Sequence, residues 1–506
     1  MVISPVIAAA LSAVPALYLP ALRPALLALA FCLLAGSVCF FLFSRKPGGS
    51  QKPGVVFFRR QSPGYIRLCI AAVLGILAAL CSVSLLPRFA PGLPPETIRA
   101  VKGKLLDDPR SFALSRGRSP EEERGMAVME LTESGNAGSN SVRTSAGGRA
   151  LVYFPAGTMP RLRGFGRGAE LYVEGRFLPD RPAAGAAPVP RFQASSVHVV
   201  KAAPALEQAR TAVRTAVLSR LKPKAWGGLA AALLIGTREN LEGSLAQSFR
   251  DAGISHILAL SGMHLAFLSA LLALALKKPL GKKGAVTAGL VFIILYVFLV
   301  GPQPSLVRAA IMYVMGSCLV LSGTVRQPLV LLCAAFLIQI LLDPSSAYSI
   351  SFILSYLTLG GILVLGGGFE SLLRGRLPDP LAGGLGVSAA AFLAAAPVVA
   401  AFFGTLRPAG LAAGLAAAPL SGIFMALSLL WLCAANIPFL GTILDFLLWG
   451  LYTLFRWCVS LFAGAPGFKA EAAAVCIAAA LLIVCLFVAA NLQKRYRNEL
   501  APFTAG

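Results

Sequence analysis

Charge is scarce in this chain, and acid is scarcer than base. Only 13% of the 506 residues are Asp, Glu, Lys or Arg, against about a quarter in soluble proteins, which excludes an ordinary water-soluble domain. Asp and Glu number 21 against 45 Lys and Arg, a formal net charge of +24. Positive loops on one side of a membrane explain part of that excess. The remainder points to an anionic partner, lipid headgroups or nucleic acid. The three histidines leave little material for a dinuclear metal hydrolase. The ten cysteines all lie in apolar segments with no CxxC pair, which argues against a disulfide framework and a structural zinc site. No Walker A, HExxH or GxSxG pattern occurs. The expectation is a non-enzymatic protein with no ATP motor, no cofactor and no metal.

What the chain has in abundance is apolar length. Hydrophobic residues make up 57%. Apolar runs lie near 3–22, 25–43 and 67–86, then near 254–276, 284–301, 305–323, 327–342, 348–366, 385–403, 409–435, 439–463 and 470–490. Most are long enough to cross a bilayer. The fold class expected is a polytopic α-helical membrane protein of about 12 spans with a small external β-rich domain. Ile3–Leu22 reads as a retained span, since no basic leader or cleavage site precedes it. The 44–67 and 277–283 loops and the tail with Lys494, Arg495 and Arg497 are basic, so they and both termini are expected in the cytoplasm, with residues 87–204 outside. That parity holds only if 225–236 does not cross. It is short and glycine-bearing, and fits a re-entrant element lining a cavity. Segment 239–252 has Leu241, Leu245 and Phe249 at helical spacing among charges, an amphipathic surface helix. Residues 206–221, with Arg210, Arg214 and Arg220, suggest a second, basic one.

The hydrophilic region reads as β-rich. Alternating runs at 127–131, 150–154, 170–174 and 196–200 are separated by Gly, Pro and Ser clusters. Residues 87–224 hold 22 basic and 12 acidic side chains, a net of +10, and 134–148 reads as a loop tip.

Polar residues inside apolar runs are the candidates for function. Ser255, His256, Ser261 and His264 crowd the start of one such run. Two histidines eight apart lie about 80° and 12 Å apart on a helix. One ion reaches both only if Ser261-Gly262 breaks it. Packing against neighbouring carbonyls and lining a polar path both remain open. Arg308 follows Gly301-Pro302-Gln303-Pro304-Ser305, a break just before a helix that can present N–H groups to an anion. Its alternatives are snorkelling or pairing with Asp343 or Asp445.

Taken in order, Leu233-Leu234-Ile235-Gly236-Thr237-Arg238, the stretch from Phe249 through Ser261-Gly262-Met263-His264, Pro304-Ser305-Leu306-Val307-Arg308-Ala309, Phe352-Ile353-Leu354-Ser355-Tyr356-Leu357 and Ala396-Pro397 with Phe402-Phe403-Gly404 resemble the ComEC family of competence DNA-uptake channels. Ile353 and Gly414 depart from residues common in that family. The resemblance implies a channel passing single-stranded DNA across the bacterial cytoplasmic membrane, with residues 87–204 as an external OB-like domain. The alternative is a permease for a small anion or lipid precursor. The organisation expected is 1–86 as a three-span anchor, 205–253 as amphipathic and re-entrant helices, 254–492 as the channel and 493–506 as a basic tail. Asp251, His256, Ser261, Gly262, His264, Gln303, Ser305, Arg308 and Ser355 are expected along the DNA path. Lys102, Lys104, Arg161, Arg163, Arg167 and Arg176 are expected to touch DNA outside. The HxHxDH cluster of the nuclease-like domain that many members carry is absent here. The partners implied are single-stranded DNA, membrane lipids, a separate cytoplasmic ATPase or helicase and a separate nuclease.

Overall fold

A computed structural model describes residues 89–112, 124–135, 144–162, 164–179, 189–323 and 328–469, with seven isolated positions before residue 80. The expected N-terminal spans, the basic 44–67 loop, the centre of the 134–148 loop, the 470–490 span and the tail lie outside the described residues. The rest falls into two compact units. One contains Val307–Tyr356, and the other contains the described residues of Pro87–Leu306 and Leu357–Gly506.

The larger unit begins with a barrel. Its strands are β1 (Ala100–Leu105), β2 (Arg110–Phe112), β3 (Arg124–Gly135), β4 (Thr144–Ser145), β5 (Arg149–Phe154), β6 (Glu170–Phe177) and β7 (Arg191–Lys201). Buried and outward residues alternate along β5, as a strand with one core face requires. Met129, Val152, Phe154, Leu171, Val173 and Phe192 fill the interior. The pairing closes on itself: β1–β3, β3–β5, β7–β6 and β6–β1 are antiparallel and β5–β7 is parallel. That is the order of a five-stranded Greek-key OB barrel, with a short helix (Met159–Leu162) after its third strand. A bulge at Thr132, opposite the Lys102–Gly103 step, bends β3, and a Cβ at Gly103 would collide with the Glu130 carbonyl.

Three short elements follow: helices Ala205–Leu221, Gly227–Ile235 and Gly243–Asp251. Every residue of Gly227–Ile235 is buried, and at nine residues it is too short to span. Gly243–Asp251 buries Leu245 and Phe249, the apolar stripe its sequence shows, with Phe249 stacked on Phe455 at 5.6 Å.

Among the described residues seven helices are long and apolar enough to cross a membrane: Gly262–Gly281, Lys283–Val300, Pro304–Leu321, Ile350–Leu373, Asp379–Phe403, Gly410–Ala434 and Phe439–Ala463. Pro328–Leu342 is shorter but equally apolar. The first two run on across a kink at Gly281, whose positive φ places it in the left-handed region that glycine enters freely. With the barrel, these helices make the chain a polytopic helical membrane protein carrying a small β-rich domain.

One expectation needs correcting. The histidine run is not a single helix from residue 254. Ser255–Leu258 is a 3-10 turn, Ala259 is extended, and the span starts at Gly262. Ser261 N–H donates to His264 Nδ1 at 3.3 Å, and Ser261 Oγ lies 3.0 Å from the same nitrogen. His264 thus takes the place that Glu or Gln holds in a capping box.

Candidate functional site

Three breaks in helical structure meet within the larger unit. The first is Gly236, which ends Gly227–Ile235 in a left-handed conformation, the common glycine stop of a helix. The second is the extended step Ala259–Ser261 before the Gly262 helix. The third is Gly301–Gln303, between Lys283–Val300 and the Pro304 helix. A Cβ at Gly236 would lie 2.6 Å from Leu260 Cδ1 and 3.1 Å from Gln303 Nε2, so only glycine lets these stretches of chain approach. Ser305 Oγ donates to the Leu260 carbonyl at 2.8 Å. Tyr296 Oη donates to the Leu234 carbonyl at 2.9 Å, and Arg238 Nε to the Leu258 carbonyl at 3.3 Å. Two helix N-termini, at Gly262 and Pro304, start at this junction, and such ends carry free N–H groups and positive potential.

Because His264 Nδ1 accepts from a backbone N–H, its ring proton sits on Nε2. His264 is 1% exposed, and Nε2 has no hydrogen-bond partner. One turn beyond Ser305, in the smaller unit, Arg308 is 7% exposed, and its Nε and Nη1 are likewise unpartnered. Its guanidinium stands 5.9 Å from the Tyr356 ring centre. Tyr356 Oη in turn donates to Gln339 Oε1 at 2.9 Å. The carboxylates suggested for Arg308 are engaged elsewhere. Asp343 accepts from Ser345 N–H, and Asp445 binds Lys224 and Trp226. An unsatisfied buried donor costs about 1–3 kcal/mol, more when charged. Each residue, within its own unit, therefore has N–H donors left over, chemistry that suits an acceptor-only group.

The other expected path residues are placed as follows. Gln303 and Ser305 join Ser261, Gly262 and His264 at the junction. His256 is exposed on the 3-10 turn. Asp251 pairs with Arg407, which donates Nη2–H to Oδ1 at 2.9 Å and Nη1–H to the Asp251 carbonyl at 2.6 Å. Ser355 lies beside Tyr356 on Ile350–Leu373. Among the described residues no three of His, Cys, Asp and Glu gather as a metal site would require.

On the barrel, Lys104 and Arg176 are exposed. Lys102 pairs with Glu133 at 3.0 Å, and Arg167 pairs with Glu207 at 2.6 Å. Arg163 and the side chain of Arg161 lie outside the described residues. A cavity of about 300 Å³ opens at the barrel end, lined by Arg124, Tyr153, Arg191 and Gln193 among others.

Sequence reasoning missed the root of the barrel. Arg210, 3% exposed, donates to Asp108 Oδ1 and Oδ2 at 3.0 and 2.6 Å, to Glu207 at 3.1 Å and to the Leu299 carbonyl at 3.1 Å. Arg214 donates to the carbonyls of Leu299 and Val300, each at 3.0 Å. These arginines satisfy the last carbonyls of a membrane helix while holding a barrel loop. Burial opposes ionisation of Asp108, but the Arg210 hydrogen bond and charge, helped by Arg214, outweigh it and hold its carboxyl below the usual range, as a paired cation does for a carboxylate. Arg210 and Arg214, four apart on a helix, were readable as a basic face. Their partners Asp108, Leu299 and Val300, 85 to 102 residues distant, were not.

The apolar helices and the closed barrel define a polytopic helical membrane protein with a small β-rich domain. The family model described as Competence protein matches residues 233–495, more than half of the chain, and the chain belongs to that family. ComE operon protein 3 of Bacillus subtilis (strain 168) is 31% identical over 133 residues, which is 26% of this chain and 17% of that protein. The match therefore spans less than a fifth of that relative's length. No solved structure matches the chain.

Proposed function

We propose that this protein passes one strand of DNA across the bacterial cytoplasmic membrane in competence. The observation that carries the reading is the unpartnered Nε2–H of buried His264 at the junction of the larger unit; separately, in the smaller unit, buried Arg308 has two N–H groups without a partner, and among the described residues no carboxylate pairs with either. A phosphodiester has acceptor oxygens and no donor, so each phosphate passing these groups would satisfy what the protein leaves open. A strand of phosphates cannot cross hydrocarbon unshielded, and irregular backbone survives at membrane depth only along a cavity or within protein. The junction of Gly236, Leu260 and Gln303 supplies such backbone. Membership of the competence family supports DNA as the cargo.

In this reading the barrel lies outside, both termini lie in the cytoplasm, and the barrel holds the strand before entry. An OB barrel binds strands through a basic face with aromatic platforms. Tyr153 between Arg124 and Arg191 offers that combination. The pull comes from a separate cytoplasmic ATPase or helicase, and the second strand is removed by a separate nuclease.

The test is internalisation of labelled DNA by cells carrying His264→Gln. Glutamine at this helix position keeps the cap to Ser261 N–H through its amide oxygen and exchanges the fixed ring donor for a flexible amide one, while His264→Ala removes the donor altogether. Uptake is expected to fall at least tenfold with the protein at its normal membrane level. Wild-type uptake in both His264→Gln and His264→Ala would remove His264 from the path.

A further inference from the structure

The helix Ala205–Leu221 reads from sequence as lying on the surface. Its two anchors place it differently. Near its start, Arg210 and Arg214 bond the end of the Lys283–Val300 span at Leu299 and Val300. Just past its end, Lys224 Nζ lies 2.7 Å from Asp445 Oδ2, Trp226 Nε1 donates to Asp445 Oδ1 at 2.8 Å, and the Trp226 ring meets Trp431 at 5.0 Å. Helix geometry gives the depth of the second anchor. Asp445 stands on Pro438–Ala463 and Trp431 on Gly410–Ala434. Asp445 is about five helical turns from the Ala463 end, and Trp431 about six from Gly410.

Those two reference ends share one side, because Thr405 and Leu406 pair as a strand with Lys469 and Phe468. The same side holds Gly253, whose carbonyl a Cβ at Gly410 would approach to 2.9 Å. The chain continues from Gly253 to Leu260, beside Gln303 and the Val300 end. The helix therefore descends from the barrel root into the membrane domain. Gly227–Ile235 then climbs back until Leu234 meets Tyr296, one turn from Val300. The return arm from Trp226 to Leu234 rises about 12 Å, so with Leu234 one turn from Val300 the tip lies about 18 Å from that end, near the middle of a hydrocarbon core about 30 Å thick, and the hairpin leaves on the side where it entered.

The descending helix has three faces. Arg210, Leu221 and half-buried Arg214 face protein. Leu206, Ala209, Val213 and Ala216 form an exposed apolar stripe over three turns, with Leu206 66% and Val213 50% exposed, and exposed Arg220 follows one turn on in the same line. Gln208, Thr211, Thr215, Ser219 and Lys222 form a third stripe at i, i+3, i+7, i+11 and i+14, polar at every position. Thr211 sits under barrel loop residue Gly166, and the other four are exposed. The apolar turns suit lipid, and the long side chain of Arg220 beyond them can carry its charge away from it. A continuous polar stripe ending in a lysine at that depth is costly against lipid and is stable against water.

We infer that the Gln208–Thr215–Ser219–Lys222 stripe lines a water-filled path that runs from beneath the barrel into the membrane domain, and that Lys222 contacts phosphates of a DNA strand in that path. The phosphate contact rests on the DNA-transport reading above, whereas the aqueous path does not.

The test uses the full chain in intact cells, with Thr215→Cys, Ser219→Cys, Val213→Cys and Ala216→Cys each probed by a charged, membrane-impermeant thiol reagent. Labelling of the parent chain sets the baseline. Thr215→Cys and Ser219→Cys are expected to label at least tenfold faster than Val213→Cys and Ala216→Cys, and a single-stranded oligonucleotide is expected to slow them severalfold. Equal labelling of all four describes a surface helix and overturns the path. Labelling confined to Val213→Cys and Ala216→Cys overturns it as well. Stripe labelling that the oligonucleotide leaves unchanged keeps the path and overturns DNA as its occupant. Independently of thiol chemistry, Lys222→Ala is expected to lower DNA uptake about tenfold, with Lys222→Arg restoring it. Unchanged uptake in Lys222→Ala overturns the phosphate contact.

Discussion

Arg210 and Arg308 are buried almost equally, 3% and 7% exposed, yet their surroundings are opposite. Arg210 meets two carboxylates and a helix-end carbonyl, so its guanidinium is engaged on every side the fold presents. Arg308 has an aromatic face near it and two nitrogens without a partner. A buried charge that is fully paired holds parts of a protein together. One left unpaired lowers stability and is retained for something it meets in use. The barrel root is thus a structural joint, whereas in the proposed reading the guanidinium of Arg308 is held for the strand.

The largest expected effect falls on the joint. Arg210→Ala takes their shared cation from half-buried Asp108 and Glu207 and leaves the Leu299 carbonyl to Arg214 alone. Breaking a buried pair in this way costs about 3–5 kcal/mol, and thermal unfolding of the detergent-solubilised protein reads it as a marked fall in Tm. A Tm within a degree or two of wild type would erase the distinction between the two arginines. Next is Gly236→Val, which puts a branched side chain in the left-handed region against Leu260 and Gln303. Backbone strain of this kind costs about 1–3 kcal/mol, and the expected signature is lost uptake with the barrel still folded, checked by limited proteolysis.

Acid tests the joint more gently. Asp108 is held below its ordinary value near 3.8, so its ionised form stabilises the fold. That contribution is complete above the ordinary value and disappears as pH falls through the lower folded one. Unfolding followed from pH 6 to pH 2 should show a loss of stability below about pH 4 that Asp108→Asn lacks, because the variant has already lost it. Identical pH profiles would show that the joint draws nothing from this carboxylate. The smallest effect belongs to the exposed barrel cations. Lys104→Ala and Arg176→Ala should each change stability by less than about 0.5 kcal/mol and weaken single-strand binding mainly at low salt, as read by fluorescence anisotropy.

The contrast also explains what the sequence could disclose. Apolar runs such as 409–435 and 439–463 announced Gly410–Ala434 and Pro438–Ala463 because length and composition alone decide a span. The alternating β-runs announced strands but not the β5–β7 parallel pairing that closes the barrel, since closure depends on residues up to 40 apart. Ser261-Gly262 was visible as a weak point. The cap that fixes it was hidden because histidine replaces the usual Glu or Gln. Ala205–Leu221 was legible as a helix, but the contacts that tie its end down were not, because Lys224 and Trp226 find Asp445 some 220 residues on. Arg308 stood out as a charge among apolar neighbours, but its lack of a partner could only be seen once Asp343 and Asp445 were found committed elsewhere.

The most direct measurement of the central claim is DNA uptake and thermal stability taken together for Arg308→Ala. Uptake abolished, with Tm equal to or above wild type, is the predicted result, since removal of an unpaired buried charge relieves the fold while depriving the strand of its contact. Undiminished uptake, or a fall in Tm as deep as that of Arg210→Ala, would contradict it.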